Sequence, residues 1–580
     1  MEHLLEEFPP VSATEWEAAI AHDLKGADYE KRLIWRSDEG LAVKPYYRAE
    51  DLRDLACMDT APGAFPYRRG TRTTGDWQIR EKIDAVDSET ANREACAAVA
   101  AGAVGIAFSG VSIESKADLG VLFATLDEIP IHFERADAGL SRLLLETLRA
   151  KRRAARISTG CDALASVDFA AEVIGGAPDG FVPFTIHGDA FEEAGATAAE
   201  EVGFTLAAGV DFLGAMQDRD VEAGRAAAAL EFSFAMGSNY FFQIAKLRAF
   251  RMLWARAVES FDGARSEARA HIVARTSRWN KTVYDPHVNI LRATTEAMAA
   301  VLGGADSVMV APFDACYEVS DGASRRLARN TQLLLKNEAW MGRAADAAGG
   351  SYYVETVTDF LAREGWKIMQ GIEAHGGYRR AQEVGAIAAT LEQSMAAREK
   401  AVALRRRVFV GTNQFANPAE QALSRCEAGQ MCEAKRGTQA YEELRLRTER
   451  HAAAGGLKPG VLLAEFGDVK MRAARSNFAA NFFACAGFET VTRRFRRAQE
   501  IAAAECDLIV LCSSDKEYAA LVAELIPKLK AMGRKTPVIV AGNPEDAAAL
   551  AAAGVADFVH ARSNLLEVLT KWQERLGIKI

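Results

Sequence analysis

The sequence has few of the features that would send a chain to a membrane, a nucleic acid or an oxidising compartment. No run of its 580 residues approaches the roughly 18 apolar positions a membrane span requires. The opening stretch MEHLLEEFPP is acidic and has no apolar signal core. Its nine cysteines are scattered, odd in number and form no CxxC, which excludes a disulfide framework or a zinc ribbon and fits free thiols in a reducing cytoplasm. The net charge is −9 and no basic stripe stands out, so nucleic acid is not an expected partner. Hydrophobic residues at 49% and charged residues at 26% describe a soluble chain, and the length calls for two or three domains.

Residues 1–35 read as an arm, with Ser12 and Glu15 spaced as a capping box. The Pro-, Gly- and Arg-rich stretch APGAFPYRRGTRTTGDWQIREK then reads as loop. From about 88 to 345, short apolar runs alternate with Ala-rich helical segments. The runs lie at 103–110, 129–135, 181–188, 210–215, 230–239, 271–277 and 306–312, with a weaker one at 164–170. This alternation implies a parallel sheet, and about eight units match the size of a (β/α)8 barrel, with an open doubly wound sheet as the alternative.

A charged helical stretch follows, broken by the loop GTNQFANPAE, and AAAGGLKPG reads as a linker. Beyond it, VLLAEFG, ETVTRRF, CDLIVLCSS, TPVIVAGN and ADFVHARS are strand candidates separated by helices. They predict a small doubly wound α/β domain whose ligand would sit at the strands' carboxyl ends, after Leu463, Leu511 and Val540. The resulting division is an arm over 1–35, a barrel with its entrance segment over 36–400, a helical linker over 401–455 and the α/β domain over 456–580.

Several long stretches are similar to the methylmalonyl-CoA mutase family: EEAGATAAEEVGFTLAAGVDFL, GSNYFFQIAKLRAFRMLWA, RATTEAMAAVLGGADSV, RLARNTQLLL and GGSYYVE, in the family's order. The resemblance extends from about 60 to 580. It implies a TIM barrel followed by a flavodoxin-like domain of the cobalamin-binding type. It also implies an isomerase activity that interconverts methylmalonyl-CoA and succinyl-CoA by a radical route on adenosylcobalamin, which carries the hard chemistry.

The residues that the resemblance assigns to that chemistry are altered. The family's cobalamin loop reads DxHxxG, its His coordinating cobalt and its Asp holding the other ring nitrogen. Here Asp468 takes the Asp position, Lys470 the His position and Ala473 the Gly position. A lysine ammonium has no free lone pair, so no metal ligand is expected. No histidine lies near this loop in the sequence. The SxL motif reads Ser513-Ser514-Asp515, and the Gly-Gly pair reads Gly542-Asn543. In the barrel, the family's GYHMQ, whose His grips the thioester carbonyl, reads GDAFE, placing Ala190 at the catalytic His position. His187 nearby is expected to end a strand and make a local polar contact.

The entrance motif MYxxRPWTIRQ reads TRTTGDWQIRE: Trp77, Ile79 and Arg80 match, while Thr73 to Asp76 replace the Tyr and the Arg-Pro. Arg80 is expected to be a structural ion-pair partner. SGVSIESKADLG stands where the family has THRGYDSD. Ile244, Leu247, Phe250, Met252 and Leu253 fall near helical spacing and predict core packing.

The resemblance therefore points to the smaller, beta-type chain of the family's two-chain members. Such a chain has no active site of its own and pairs with a large (alpha) catalytic subunit that binds adenosylcobalamin and acyl-CoA. No cofactor and no metal are expected on this chain. Two alternatives remain open at this point: a competent acyl-CoA mutase of different substrate range, and a non-enzymatic interaction or sensor protein.

Overall fold

A computed structural model of the chain describes residues 11–55, 58–150, 155–428 and 435–578. Residues 1–10 of the arm, and with them the acidic opening stretch, lie outside the described residues. Helix Ala13–Asp23 begins on the expected capping box: Ser12 caps it, and Glu15 returns a bond to the Ser12 amide at 2.8 Å. None of its residues is buried, and Trp16 against Tyr46, ring centres 5.5 Å apart, fastens it to the body.

Eight parallel strands close into a barrel: β1 (Gln78–Asp84), β2 (Gly105–Ser109), β3 (Ile131–Phe133), β4 (Ile157–Asp162), β5 (Phe181–His187), β6 (Leu230–Met236), β7 (Ile272–Thr276) and β8 (Ser307–Met309). Helices follow the strands, as parallel crossovers require. The open doubly wound alternative is thereby set aside for this part of the chain.

Four local expectations are corrected. The run at 210–215 is the end of helix Ala198–Gln217, whose first three turns are buried on every side and so carry no polar face. The weaker run at 164–170 enters helix Val167–Gly176, capped by Ser166. The stretch read as loop contains β1, and β4 was not anticipated. Both strands alternate or mix polar side chains, QIREKID and ISTGCD, so neither presents an apolar run.

Helix Tyr240–Ser260 buries Ile244, Leu247, Phe250 and Leu253, and helix Tyr352–Glu373 packs across it and across Ala198–Gln217. The latter crossing is close: a Cβ on Gly203 would lie 2.6 Å from Ile368, and one on Gly365 2.6 Å from Val202. Helix Ala386–Ala403 is followed by turns and loop and then by the short helix Leu423–Ala428, and helix Gln439–Ala453 leads toward the second sheet.

All five C-terminal strand candidates are strands: β9 (Gly460–Glu465), β10 (Glu489–Arg494), β11 (Leu508–Cys512), β12 (Val538–Ala541) and β13 (Asp557–Val559). They form one parallel sheet in the order β10-β9-β11-β12-β13. The central strands β11 and β12 are wholly buried, whereas β10 lies on one edge with most side chains exposed, ending in Arg493 and Arg494.

Candidate functional site

Two places could hold chemistry: the carboxyl mouth of the barrel and the carboxyl edge of the second sheet. The barrel interior carries an ionic network. Glu231, the second residue of the buried strand β6, accepts from Arg80 at 3.0 and 3.3 Å and lies 3.3 Å from both His132 and His271. Burial alone would raise its carboxyl, but Arg80 and the two imidazoles hold it well below the usual range. Burial pushes His132 down to about 4, so that ring is neutral at pH 7, and burial lowers His271 too. His132 meets Ser158 Oγ at 2.9 Å.

Nearer the mouth, Glu134 accepts from Arg275 at 3.0 Å, and Arg275 stands 3.5 Å from Asp189. Asp189 accepts from Ser233 and faces His187 at 3.7 Å. Charged groups thus line the barrel interior. Above them a cavity of about 390 Å³ opens at the strand ends.

Arg80 makes the structural ion pair expected of it. Trp77 is buried and donates to Gln332 at 3.1 Å, while Asp76 at the surface pairs with Lys336 at 2.6 Å. His187 ends β5 and makes local contacts, as anticipated. Ala190 sits in the short helix Gly188–Glu193 and is exposed. The cavity wall there belongs to its neighbours Asp189 and Glu193.

In the second sheet, chain order reverses between β9 and β11, so the loops after these strands flank the crevice where open α/β sheets bind ligands. Glu517 occupies it. Its carboxylate accepts from the hydroxyls of Ser513 and Ser514, both at 2.6 Å, from the Ser514 amide at 3.1 Å and from the Asp468 amide at 3.2 Å. The two hydroxyls, then the amides, hold its carboxyl down at about 2. A Cβ on Gly467, whose φ is +68°, would collide with this carboxylate.

Asp468 caps helix Val469–Ala484 by accepting from the Met471 amide at 2.8 Å. Lys470 therefore lies in the first helical turn, exposed, and Ala473 is exposed one turn on. Asp515 accepts from Arg475 at 2.9 Å. Both press on Gly542, where a Cβ would stand 3.0 Å from Arg475 and 3.1 Å from Asp515. The structure thus brings Asp468, Ser513, Asp515 and Gly542 around one crevice and leaves Lys470 and Ala473 on its outer helix.

The sequence reading missed Glu517 and Arg475, which close the crevice, and the barrel's Glu231, Glu134 and Arg275. The signal for the last three was present: charges within or directly after buried runs in LEFSFAM, IHFER and IVART demand internal partners.

This donor set does not fit a cobalamin. The position implied for the cobalt ligand is an exposed lysine, and the neighbouring crevice holds the chain's own carboxylate. Among the described residues no cluster of His, Cys, Asp and Glu could hold a metal, and no helix is long and apolar enough to cross a membrane.

The family profile for methylmalonyl-CoA mutase matches residues 36–120 and 168–465. The methylmalonyl-CoA mutase small subunit of Porphyromonas gingivalis is 36% identical over 620 residues, covering 100% of this chain and 99% of its own. That of Streptomyces virginiae is 33% identical, covering 99% and 98%. The large subunit of the latter organism is 29% identical over 77% of this chain and 67% of its own length. With a matching profile across most of the barrel and end-to-end similarity to small subunits, the chain belongs to the methylmalonyl-CoA mutase family.

Proposed function

We propose that this chain is the small (beta) subunit of a two-chain methylmalonyl-CoA mutase and is itself non-catalytic. Its large partner carries adenosylcobalamin and acyl-CoA and performs the radical interconversion of (R)-methylmalonyl-CoA and succinyl-CoA. The observation that carries this reading is the crevice at β9 and β11, filled by Glu517 with Lys470 exposed beside it. Ala190, which has no donor, supports it from the barrel side. The second sheet, in this reading, is a cobalamin-domain scaffold of flavodoxin-like order kept for assembly. The division into 1–35, 36–400, 401–455 and 456–580 accompanies it, as does a cytoplasmic location. Homologous partners of this kind meet about a pseudo-twofold axis over a large, partly apolar interface.

The test is to purify the chain alone and together with a large-subunit homologue bearing an intact DxHxxG. The pair is expected to copurify one to one, with cobalt-associated absorbance and turnover appearing only when the large chain is present. Stoichiometric adenosylcobalamin binding with turnover by this chain alone overturns the reading.

A further inference from the structure

Strand β10 departs from the rest of its sheet in two ways. Parallel sheets are covered on both faces. Yet none of the six side chains of β10 is buried, whereas the middle four of its neighbour β9 are. Its outer border is open as well. The amides of Glu489 and Phe495 donate to the carbonyls of Pro459 and Glu465, each at 2.9 Å. In a parallel strand the N–H and C=O of one residue point to the same side, and the side alternates along the chain. The odd-numbered residues of β10 therefore face β9. Thr490, Thr492 and Arg494 turn their amides and carbonyls outward, where the sheet has no further strand.

The charge at this border is equally unusual. Arg493, Arg494, Arg496 and Arg497 are all exposed. Arg494 stands 4.0 Å from Glu465, and the side chains of the other three make no ion pair or hydrogen bond among the described residues. Of the carboxylates close in the chain, Glu500 is engaged by the Arg496 amide at 3.1 Å, and Glu489 lies at the opposite end of the strand. Four guanidinium groups thus gather at one border of a chain whose net charge is −9.

We propose that the outer border of β10 is a docking edge for an extended acidic segment of a partner polypeptide. The segment adds to the sheet as a further strand, pairing with the outward amides and carbonyls of Thr490, Thr492 and Arg494. Its carboxylates lie among the four arginines, whose planar forks match them. Charge and backbone chemistry together select this occupant. A second copy would bring a net positive edge to a net positive edge. A nucleic acid has no row of amides and carbonyls to complete the sheet, and the chain's overall negative charge opposes it. The edge goes beyond the subunit reading and does not rest on it, since that reading depends on the crevice beside Glu517.

Fluorescence anisotropy of short dye-labelled peptides titrated with the full-length chain tests the proposal. A capped peptide alternating glutamate with valine should bind saturably, and more weakly as salt rises. Its counterpart with lysine for glutamate should not bind. A version with its central valine replaced by proline keeps the charge but breaks the strand, and should bind about tenfold more weakly. Thr492→Pro removes only an outward-facing amide, a change an edge strand tolerates, and should cost a similar factor with the melting profile intact. Arg496→Glu combined with Arg497→Glu lies beyond the strand's own hydrogen bonds and should weaken the acidic peptide about tenfold through charge alone. Absence of saturable binding, equal binding of the proline version, unchanged affinity in either variant, or oligothymidylate binding as tightly as the acidic peptide overturns the proposal. None of those results would bear on copurification with the large chain.

Discussion

Glu517→Ala removes a side chain that does a ligand's work in its own crevice. Four donors converge on that carboxylate, two hydroxyls and two amides. Its carboxyl drops from an ordinary 4.5 to about 2, which at ~1.4 kcal/mol per pH unit is an upper bound of about 3.5 kcal/mol. The side chain is only half-buried and solvent screens it, so about 2 kcal/mol is the working figure.

Truncation leaves Ser513 within 2.9 Å of the Phe466 carbonyl oxygen and lets water reach Ser514, so the loss should stay local. Because the folded pKa is depressed, the contribution is fully present above about pH 4.5 and fades as pH falls toward 2. Full-length wild type and variant should therefore differ by a few degrees in the transition that melts the second sheet at pH 7, and by less on acidification. Added formate, a carboxylate without a tether, should restore part of the difference at neutral pH. A variant as stable as wild type at pH 7, or a deficit that grows as pH falls, would refute the assignment of Glu517 as the built-in occupant.

Lys470→His alone should yield neither cobalamin binding nor mutase activity, since Glu517 still fills the crevice and Ala190 still offers no donor; cobalt-associated absorbance on the single variant checks this. His132 is fully buried with its pKa at about 4, so its unfolded form binds a proton that the folded form refuses. Stability should fall by about 3 kcal/mol between pH 6.5 and 4, and His132→Gln should flatten that slope in denaturant titrations. Glu231→Gln strands buried Arg80 and should cost about 3–5 kcal/mol. Adding Arg80→Met should recover much of it, which a double-mutant cycle will measure.

The second sheet was legible because its strands are short, apolar and bounded by turn residues, so VLLAEFG and TPVIVAGN declare themselves. The barrel was legible where a strand packs a run of apolar side chains against the outer helices, as in FVPFTIH with Phe184 against Phe169 and Phe212. It was illegible where the inward positions carry charge: QIREKID has no apolar period because Arg80 reaches in to Glu231. The run VDFLGA misled for the opposite reason, since helix Ala198–Gln217 is enclosed by Tyr240–Ser260 and Tyr352–Glu373 and needs no polar face. In the candidate site, which residues depart from the family pattern could be read directly. What fills the vacated crevice could not, because Glu517 meets Asp468 across 49 residues of chain and only the fold brings them together.

The two edges of the second sheet bear on the period before any partner is met. A parallel sheet ends in rows of unpaired amides and carbonyls, templates on which another copy can extend the sheet. On one side that row runs along β10, whose final residues are Arg493 and Arg494 with Arg496 and Arg497 just beyond, so a second copy approaching the edge brings like charge against like. On the other side β13 offers three residues, too few to seed pairing. The sheet thus resists stacking into aggregates by charge at one border and by brevity at the other, which protects newly made chain at high local concentration.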